Sequence, residues 1–220
     1  MMGGDFAPLE AVKGVQLYLS NNQNNLFCIG DAAQLEVLFQ QHGIASPFLH
    51  LVDAPEVIGY HEHPTKALKE KPNSSIAIGF RYLAEGKIDA FLSAGNTGAM
   101  LVGAMFSIKP IKGVLRPTIA TLLPKLNGKT GILVDVGLNA DCKAEQLNQF
   151  AILGSLYASI MLGVNNPTVG LLNIGEEEGK GNILCQATYP LLKENKHINF
   201  SEKFPYIFSS TKPNDIIFDL

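Results

Sequence analysis

The chain has 220 residues, 46% hydrophobic and 17% charged, enough for one large or two small domains with a buried core. A net charge of −3 and a pI near 5.9 leave no electrostatic footprint for nucleic acid. The absence of any apolar run of about eighteen residues argues against a transmembrane helix. Met1-Met2-Gly3-Gly4-Asp5 lacks the basic and apolar regions of a signal peptide, and Cys28, Cys142 and Cys185 fit neither a zinc pattern nor a disulfide framework. A reducing cytoplasm is the expected location.

In chain order, Pro8 to Ser20 carries Leu9, Val12, Val15, Leu17 and Leu19 and predicts an amphipathic helix. Leu26 to Ile29 predicts a strand closed by Gly30-Asp31, and Ala32 to Gln41 a helix. Phe48 to Val52 predicts a strand, Asp53 to Pro64 a polar loop, and Thr65 to Glu70 a short helix stopped by Pro72. Ser74 or Ser75 can cap the next helix, Ile76 to Glu85, which Gly86 ends. Ala90 to Ser93 is a short apolar segment read as a strand, followed by Gly95-Asn96-Thr97-Gly98 and the apolar Ala99 to Phe106. Thr118 to Leu123 and Gly131 to Val136 predict two strands joined by a hairpin or short excursion. Ala144 to Leu162 is the longest predicted helix, Thr168 to Leu172 a buried strand, and Ile183 to Asn195 a helix. Ile198 to Phe200 and Ile216 to Phe218 are apolar patches without an assigned place. Strands alternating with helices predict an α/β/α sandwich with a mostly parallel sheet. Residues 1–200 read as one α/β catalytic domain and 201–220 as a diverged or truncated tail.

Three predicted strand-to-helix turns share a composition. They are Ala94 to Gly98, Asp135 to Lys143, and Asn173 to Asn182, the last holding three glycines, three glutamates and Lys180. In α/β folds ligands bind at the carboxyl ends of strands, so parallel neighbours would open all three turns onto one cleft. Dense glycine lets backbone approach a ligand, and Lys180 suggests that the ligand is an anion.

Each motif has a plainer reading. Gly95-Asn96-Thr97-Gly98 fits a phosphate or oxyanion cradle, and equally an N-cap at Thr97 with glycines for tight packing. Lys180 fits an anion contact better than a solvated lysine, because the flanking glycines expose it to backbone-lined space. Glu176, Glu177 and Glu178 fit metal ligands or general bases, but also acidic residues favoured by a helix dipole. Asp135, at a strand end, is a better functional candidate than Asp141, which fits a helix cap. His61-Glu62-His63 has no third ligand at helical spacing, so metal binding is not expected. GxGxxG after a strand, GxxxxGK[ST] and G-x-S-x-G are all missing, which disfavours dinucleotide binding, a Walker A loop and a serine hydrolase.

Together the motifs closely resemble the bacterial phosphate acyltransferases of phospholipid synthesis, the PlsX family. The matching pieces are Met2 to Pro8, Lys71 to Ser75, Ser93 to Ala99, Arg116-Pro117, Asp135 to Lys143 and Leu172 to Asn182, in family order across Met2 to about Phe200. The resemblance implies a three-layer α/β fold related to isopropylmalate dehydrogenase and phosphotransacetylase. It implies transfer of an acyl group from acyl-carrier protein to inorganic phosphate in the cytoplasm, by an enzyme without cofactor or metal. A homodimer and peripheral membrane association are expected with it. The chain departs from the family pattern at Leu138, where alanine is usual, and after Phe200, where the resemblance fades. It resembles a fragment, lacking a first strand and much of the second half.

For the chemistry, Gly95, Asn96 and Thr97 are assigned to phosphate or oxyanion contacts and Lys180 to charge stabilisation. Asn139, Asn173 and Asn182 are candidate neutral donors, with Asp5 and Asp135 orienting them. Gly3, Gly4, Gly98, Gly175 and Gly181 complete the expected phosphate-binding backbone, and Asn96, Asp135, Lys180 and Asn182 are the expected catalytic set. Two other readings stand beside this one: a phosphotransacetylase-like enzyme using acyl-coenzyme A, and an inactive module that binds a carrier protein.

Overall fold

The computed structural model describes residues 1–125, 127–139, 141–173, 180–205 and 216–218, with backbone only for 202–205 and 216–218. Two compact units divide the chain, Met1–Pro110 and Ile111–Leu220.

The first unit begins with α1, Leu9–Leu19, which buries Val12 and Val15. Strand β1 (Leu26–Gly30) runs into α2 (Ala32–Gln41), and the chain returns as β2 (Leu49–Asp53). β1 and β2 pair in parallel, Leu26 opposite Leu49 and Gly30 opposite Asp53, as a helical crossover between them requires. Asp31 starts α2 by accepting the Gln34 N–H at 2.9 Å. Val12, Val15, Cys28, Leu35 and Phe39 form the core of this βαβ unit.

Three helices follow: α3 (Pro64–Glu70), α4 (Ser75–Ala84) and α5 (Thr97–Ser107). The cap of α4 is Ser74, fully buried, whose Oγ accepts the Ala77 N–H at 3.4 Å and donates to the Lys71 carbonyl at 2.8 Å. Ile58, Ala67, Ile76, Phe80 and Ala99 form the core beneath these helices. Phe80 lies against Gly103 and Phe91 against Gly79, where a Cβ would overlap the rings. The two rings meet edge to face at 5.1 Å.

Ala90 to Ser93 is not a strand. Phe91 packs inward and Leu92 is 85% exposed, so the alternation of a strand is present. No strand pairs with it among the described residues, and without a ladder the backbone stays irregular.

In the second unit, β3 (Ala120–Pro124) and β4 (Thr130–Val134) form an antiparallel hairpin, Ala120 opposite Val134. The chain continues through α6 (Ala144–Met161), β5 (Thr168–Asn173), α7 (Ile183–Glu194), β6 (Asn199–Pro205) and β7 (Ile216–Phe218). The strand order is β3-β4-β7-β5-β6, parallel except for the hairpin. The two apolar patches without a place in the sequence are thus strands β6 and β7, and β7 stands between β4 and β5. Ile132, Val134, Val169 and Leu171 pack with Leu147, Phe150, Ala151 and Ala158 of α6 and with Cys185 and Leu192 of α7. Burying a side chain such as Phe150 contributes about 2–3 kcal/mol. Among the described residues, no helix is long and apolar enough to cross a membrane.

Candidate functional site

The first unit brings the Gly3-Gly4 segment against the Ala94–Gly98 turn. A Cβ on Gly3 would overlap the backbone of Gly95, so the two turns touch main chain to main chain. The Tyr60 hydroxyl lies beside this contact, accepting the Gly4 N–H at 2.5 Å and donating to the Ala94 carbonyl at 3.0 Å. Gly98 packs on Pro64, leaving no room for a side chain. Asp5 and Thr97 are exposed.

The cap of α5 is Asn96, not Thr97. Its Oδ1 accepts the Ala99 N–H at 2.9 Å. Its Nδ2 faces the carbonyls of Gly59, Tyr60 and Glu62 at 2.9, 3.3 and 3.4 Å. With 5% exposure, this amide is bound to the protein at both ends. Thr97 and Gly98, the first residues of α5, keep N–H groups that have no acceptor within the helix. What the turn presents is therefore backbone N–H and the exposed Thr97, not the Asn96 side chain.

The loop that Asn96 grips is fixed from its other side as well. Glu62 Oε1 accepts the Gly59 N–H at 2.6 Å and the Lys71 ammonium at 2.7 Å, and Lys71 also donates to the Val57 carbonyl at 2.7 Å. The Lys71 hydrogen bond, then the Gly59 N–H, hold the Glu62 carboxyl below the usual glutamate range. Glu62 of the His61-Glu62-His63 run is thus an ion-pair partner.

In the second unit, Asp135 is 6% exposed and accepts three hydrogen bonds. Oδ1 takes the Ile119 N–H at 3.1 Å, and Oδ2 takes the Asn139 backbone N–H at 2.8 Å and its Nδ2 at 2.7 Å. Asn139 Nδ2 also donates to the Pro117 carbonyl at 3.1 Å. Asp135 thus fixes the conformation of the whole Asp135–Asn139 turn. The Cys142 thiol is pushed above its ordinary range, first by burial and then by the charge of Asp135. Thr118 Oγ1 is buried here with no hydrogen-bond partner among the described residues. Asp141 does not cap α6, which starts after Lys143; its carbonyl accepts from Arg116 at 2.9 Å instead.

The third turn is described on both sides of residues 174–179, so Gly175 and Glu176 to Glu178 lie outside the described residues. Asn173, 2% exposed, donates from Nδ2 to the Lys180 carbonyl at 3.0 Å. Gly181, at φ +106°, lies on the Asn173 amide, where a Cβ would collide with Oδ1. Asn182 caps α7 by accepting the Cys185 N–H at 2.8 Å. Lys180 is exposed.

Strand register relates these last two turns. Val134 and Leu171 both pair with Phe218, so β4 and β5 run parallel on either side of β7. The Asp135 turn and the Asn173 turn therefore leave the same edge of one sheet, about 10 Å apart across one intervening strand.

Tyr60, Glu62, Lys71 and Thr118 are the polar groups at these turns that the sequence motifs did not single out as site residues. The partners of the Tyr60 hydroxyl lie 56 and 34 residues away in the chain, beyond the reach of any local pattern.

A family model described as "Fatty acid synthesis protein" matches residues 1–203. The chain belongs to this family. The resemblance carried by the sequence motifs and the family match agree. Among similar curated proteins are the phosphate acyltransferases of Dictyoglomus thermophilum, 44% identical over 199 residues, and Thermoanaerobacterium thermosaccharolyticum, 47% identical over 199 residues. These alignments take in 90% of this chain and 59% and 58% of those proteins. The chain thus spans a little under six-tenths of the length of these relatives. In fold, it is similar to the EutD phosphotransacetylase from Staphylococcus aureus, with a TM-score of 0.61 at 15% identity, over 96% of this chain and 73% of that one. A phosphotransacetylase from Streptococcus pyogenes gives a TM-score of 0.58 at 14% identity, over 96% and 82%. This chain therefore shares the α/β fold of these phosphotransacetylases.

Proposed function

We propose that this protein transfers a fatty acyl group from acyl-carrier protein to inorganic phosphate, giving acyl phosphate for phospholipid synthesis. The observation that carries the reading is the match over residues 1–203 to a family whose similar members are named phosphate acyltransferase. Supporting it, the N–H groups of Thr97 and Gly98 at the start of α5 have no acceptor within the helix, and Lys180 stands exposed in its own turn.

The chemistry asks little of a general base. A phosphate dianion near neutral pH attacks the thioester carbonyl through one oxygen. The carbon–oxygen bond forms, the carbonyl electrons move to an oxyanion, and its collapse expels the carrier thiolate, which takes a proton from solvent. The enzyme must hold phosphate against the carbonyl and stabilise the oxyanion. Positioning supplies several kcal/mol, and one preorganised oxyanion donor about 3 kcal/mol.

In this reading the N–H groups of Thr97 and Gly98, approached over Gly95, contact phosphate or the oxyanion, and the doubly bonded Asn96 amide fixes their direction. Gly3, Gly4 and Asp5 line the neighbouring turn. Lys180 supplies positive charge, set by Asn173 and Gly181 behind it and Asn182 after it. Asp135 fixes Asn139, whose backbone N–H and both Nδ2 hydrogens are taken up by Asp135 and the Pro117 carbonyl, so Asn139 shapes the turn rather than donating to phosphate. Gly175, outside the described residues, is assigned with Lys180 from the sequence motif Asn173 to Asn182 alone. The reading calls for no metal or cofactor. It carries with it a cytoplasmic enzyme that meets acyl-carrier protein, works as a homodimer, associates peripherally with the membrane and has no nucleic-acid partner.

The donor is tested by supplying carrier-protein and coenzyme-A thioesters of the same acyl chain side by side, with phosphate. The expected result is phosphate-dependent loss of the carrier-protein thioester. Turnover of the coenzyme-A thioester alone would favour a phosphotransacetylase-like enzyme. Binding of carrier protein without turnover of either would favour an inactive binding module.

A further inference from the structure

We propose that Tyr60 is a positioning residue that sets the anion affinity of the Gly95–Gly98 turn. The inference rests on the reading that this turn binds phosphate. The Ala94–Gly95 peptide is held at both of its polar atoms. Its carbonyl oxygen accepts from the Tyr60 hydroxyl at 3.0 Å, and its N–H donates to Ser93 Oγ at 3.1 Å. One residue later, Asn96 caps α5. The plane of this peptide therefore sets where the chain enters α5, and with it the direction of the Thr97 and Gly98 N–H groups.

Tyr60 also reaches the other turn. Its oxygen accepts from Gly4, while Gly3 lies against Gly95 with no space for a side chain. One hydroxyl thus ties the Gly3–Gly4 turn to the Gly95 turn and uses both its donor and its acceptor in doing so. The ring is not a core element: Tyr60 is 53% exposed, so burial alone does not explain its place. Its backbone is fixed instead, by Asn96 gripping the 59, 60 and 62 carbonyls and by Glu62 joining Gly59 to Lys71. A well-anchored loop that presents one exposed phenol to two main-chain groups suits a device for holding a turn. Removing the oxygen leaves the Ala94 carbonyl and the Gly4 N–H without this partner and lets the peptide before α5 rotate.

The test is a titration of the full chain with inorganic phosphate, following the amide resonances of Thr97 and Gly98, for wild type, Tyr60→Phe and Ser93→Ala. Wild type is expected to saturate. Tyr60→Phe is expected to raise the midpoint by about threefold or more, the size of one modest hydrogen bond, with an unfolding midpoint close to wild type. Ser93→Ala frees the other end of the same peptide and is expected to shift the midpoint in the same direction. If wild-type amides do not respond to phosphate, the anion reading of the turn fails, and the Tyr60 proposal with it. If wild type saturates and Tyr60→Phe matches it, the positioning role alone is overturned. A Tyr60→Phe protein less stable than wild type but with an unchanged phosphate midpoint overturns that role too. If Tyr60→Phe does not fold, an unchanged midpoint in Ser93→Ala overturns the proposal.

Discussion

Asp135 holds Asn139 twice through a single oxygen, by the backbone N–H at 2.8 Å and by the side-chain amide at 2.7 Å. With the Ile119 N–H on its other oxygen, this 6%-exposed carboxylate organises the turn that follows β4. Asp135→Asn replaces one acceptor oxygen with a donor and leaves buried N–H groups facing it. The variant is expected to lose about 2–3 kcal/mol of stability in urea unfolding. A loss below about 0.5 kcal/mol would show that the carboxylate does not organise the turn.

Gly181 and Gly14 give opposite expectations for the same substitution. Gly181 lies at φ +106° against Asn173, so Gly181→Ala is expected to cost about 1–3 kcal/mol and to disturb the turn carrying Lys180. Gly14 lies in α1, where an added methyl would meet nothing within 4 Å, so Gly14→Ala is expected to stabilise by about 0.5–1 kcal/mol. Thermal or urea unfolding of the two variants checks both signs. Equal effects would contradict the packing described for Gly181.

The contrast between these glycines shows how far sequence carries. Spacing places Gly14 inside a helix and Gly181 in a strand-to-helix turn, and both placements hold. What spacing cannot give is the neighbour, because Asn173 meets Gly181 only once the turn closes. The same limit explains Asn96 and Asn182. The motifs assign Asn96 to phosphate, with Thr97 as the alternative cap, and Asn182 to a donor role, whereas three-dimensional partners show both asparagines as caps. Periodicity finds α6 because eighteen residues repeat its pattern, whereas β7 offers three residues and no pattern. Ala90 to Ser93 has a strand's composition, but among the described residues no strand pairs with it. The glycine-rich motifs are visible in the chain; Tyr60, which joins two of them, sits in a polar loop without a signature.

Lys180 is the charged residue expected to matter most for turnover. Its carbonyl, rather than its side chain, is the group that Asn173 holds, so Lys180→Ala leaves that backbone contact available. The expected result is a rate at least about tenfold lower, equivalent to about 1.4 kcal/mol of transition-state stabilisation, with folding intact. Near-normal turnover would reject Lys180 as a catalytic residue.

The Glu62–Lys71 pair predicts an acid-side effect. Glu62 has its carboxyl pKa lowered in the folded state, chiefly by the Lys71 hydrogen bond. A lowered folded value means that the pair's contribution is fully present above the ordinary glutamate pKa of about 4.3 and is lost as pH falls through the folded value. The stability difference between wild type and Lys71→Met should therefore shrink on acidification through that window. The pair is partly exposed, so the difference should be small and should also shrink with added salt. A difference independent of pH from neutrality down through that window would show that the pair does not act through charge.

The most direct measurement of the proposed reaction follows oxygen. Acyl-carrier protein is supplied with phosphate labelled with heavy oxygen at every position, and the product is trapped and weighed. Attack by phosphate on the thioester carbonyl predicts acyl phosphate that retains every labelled oxygen, one of them bridging carbon and phosphorus, together with free carrier thiol in equal amount. Thioester loss that does not depend on phosphate and yields free fatty acid with oxygen from water would contradict the proposed reaction.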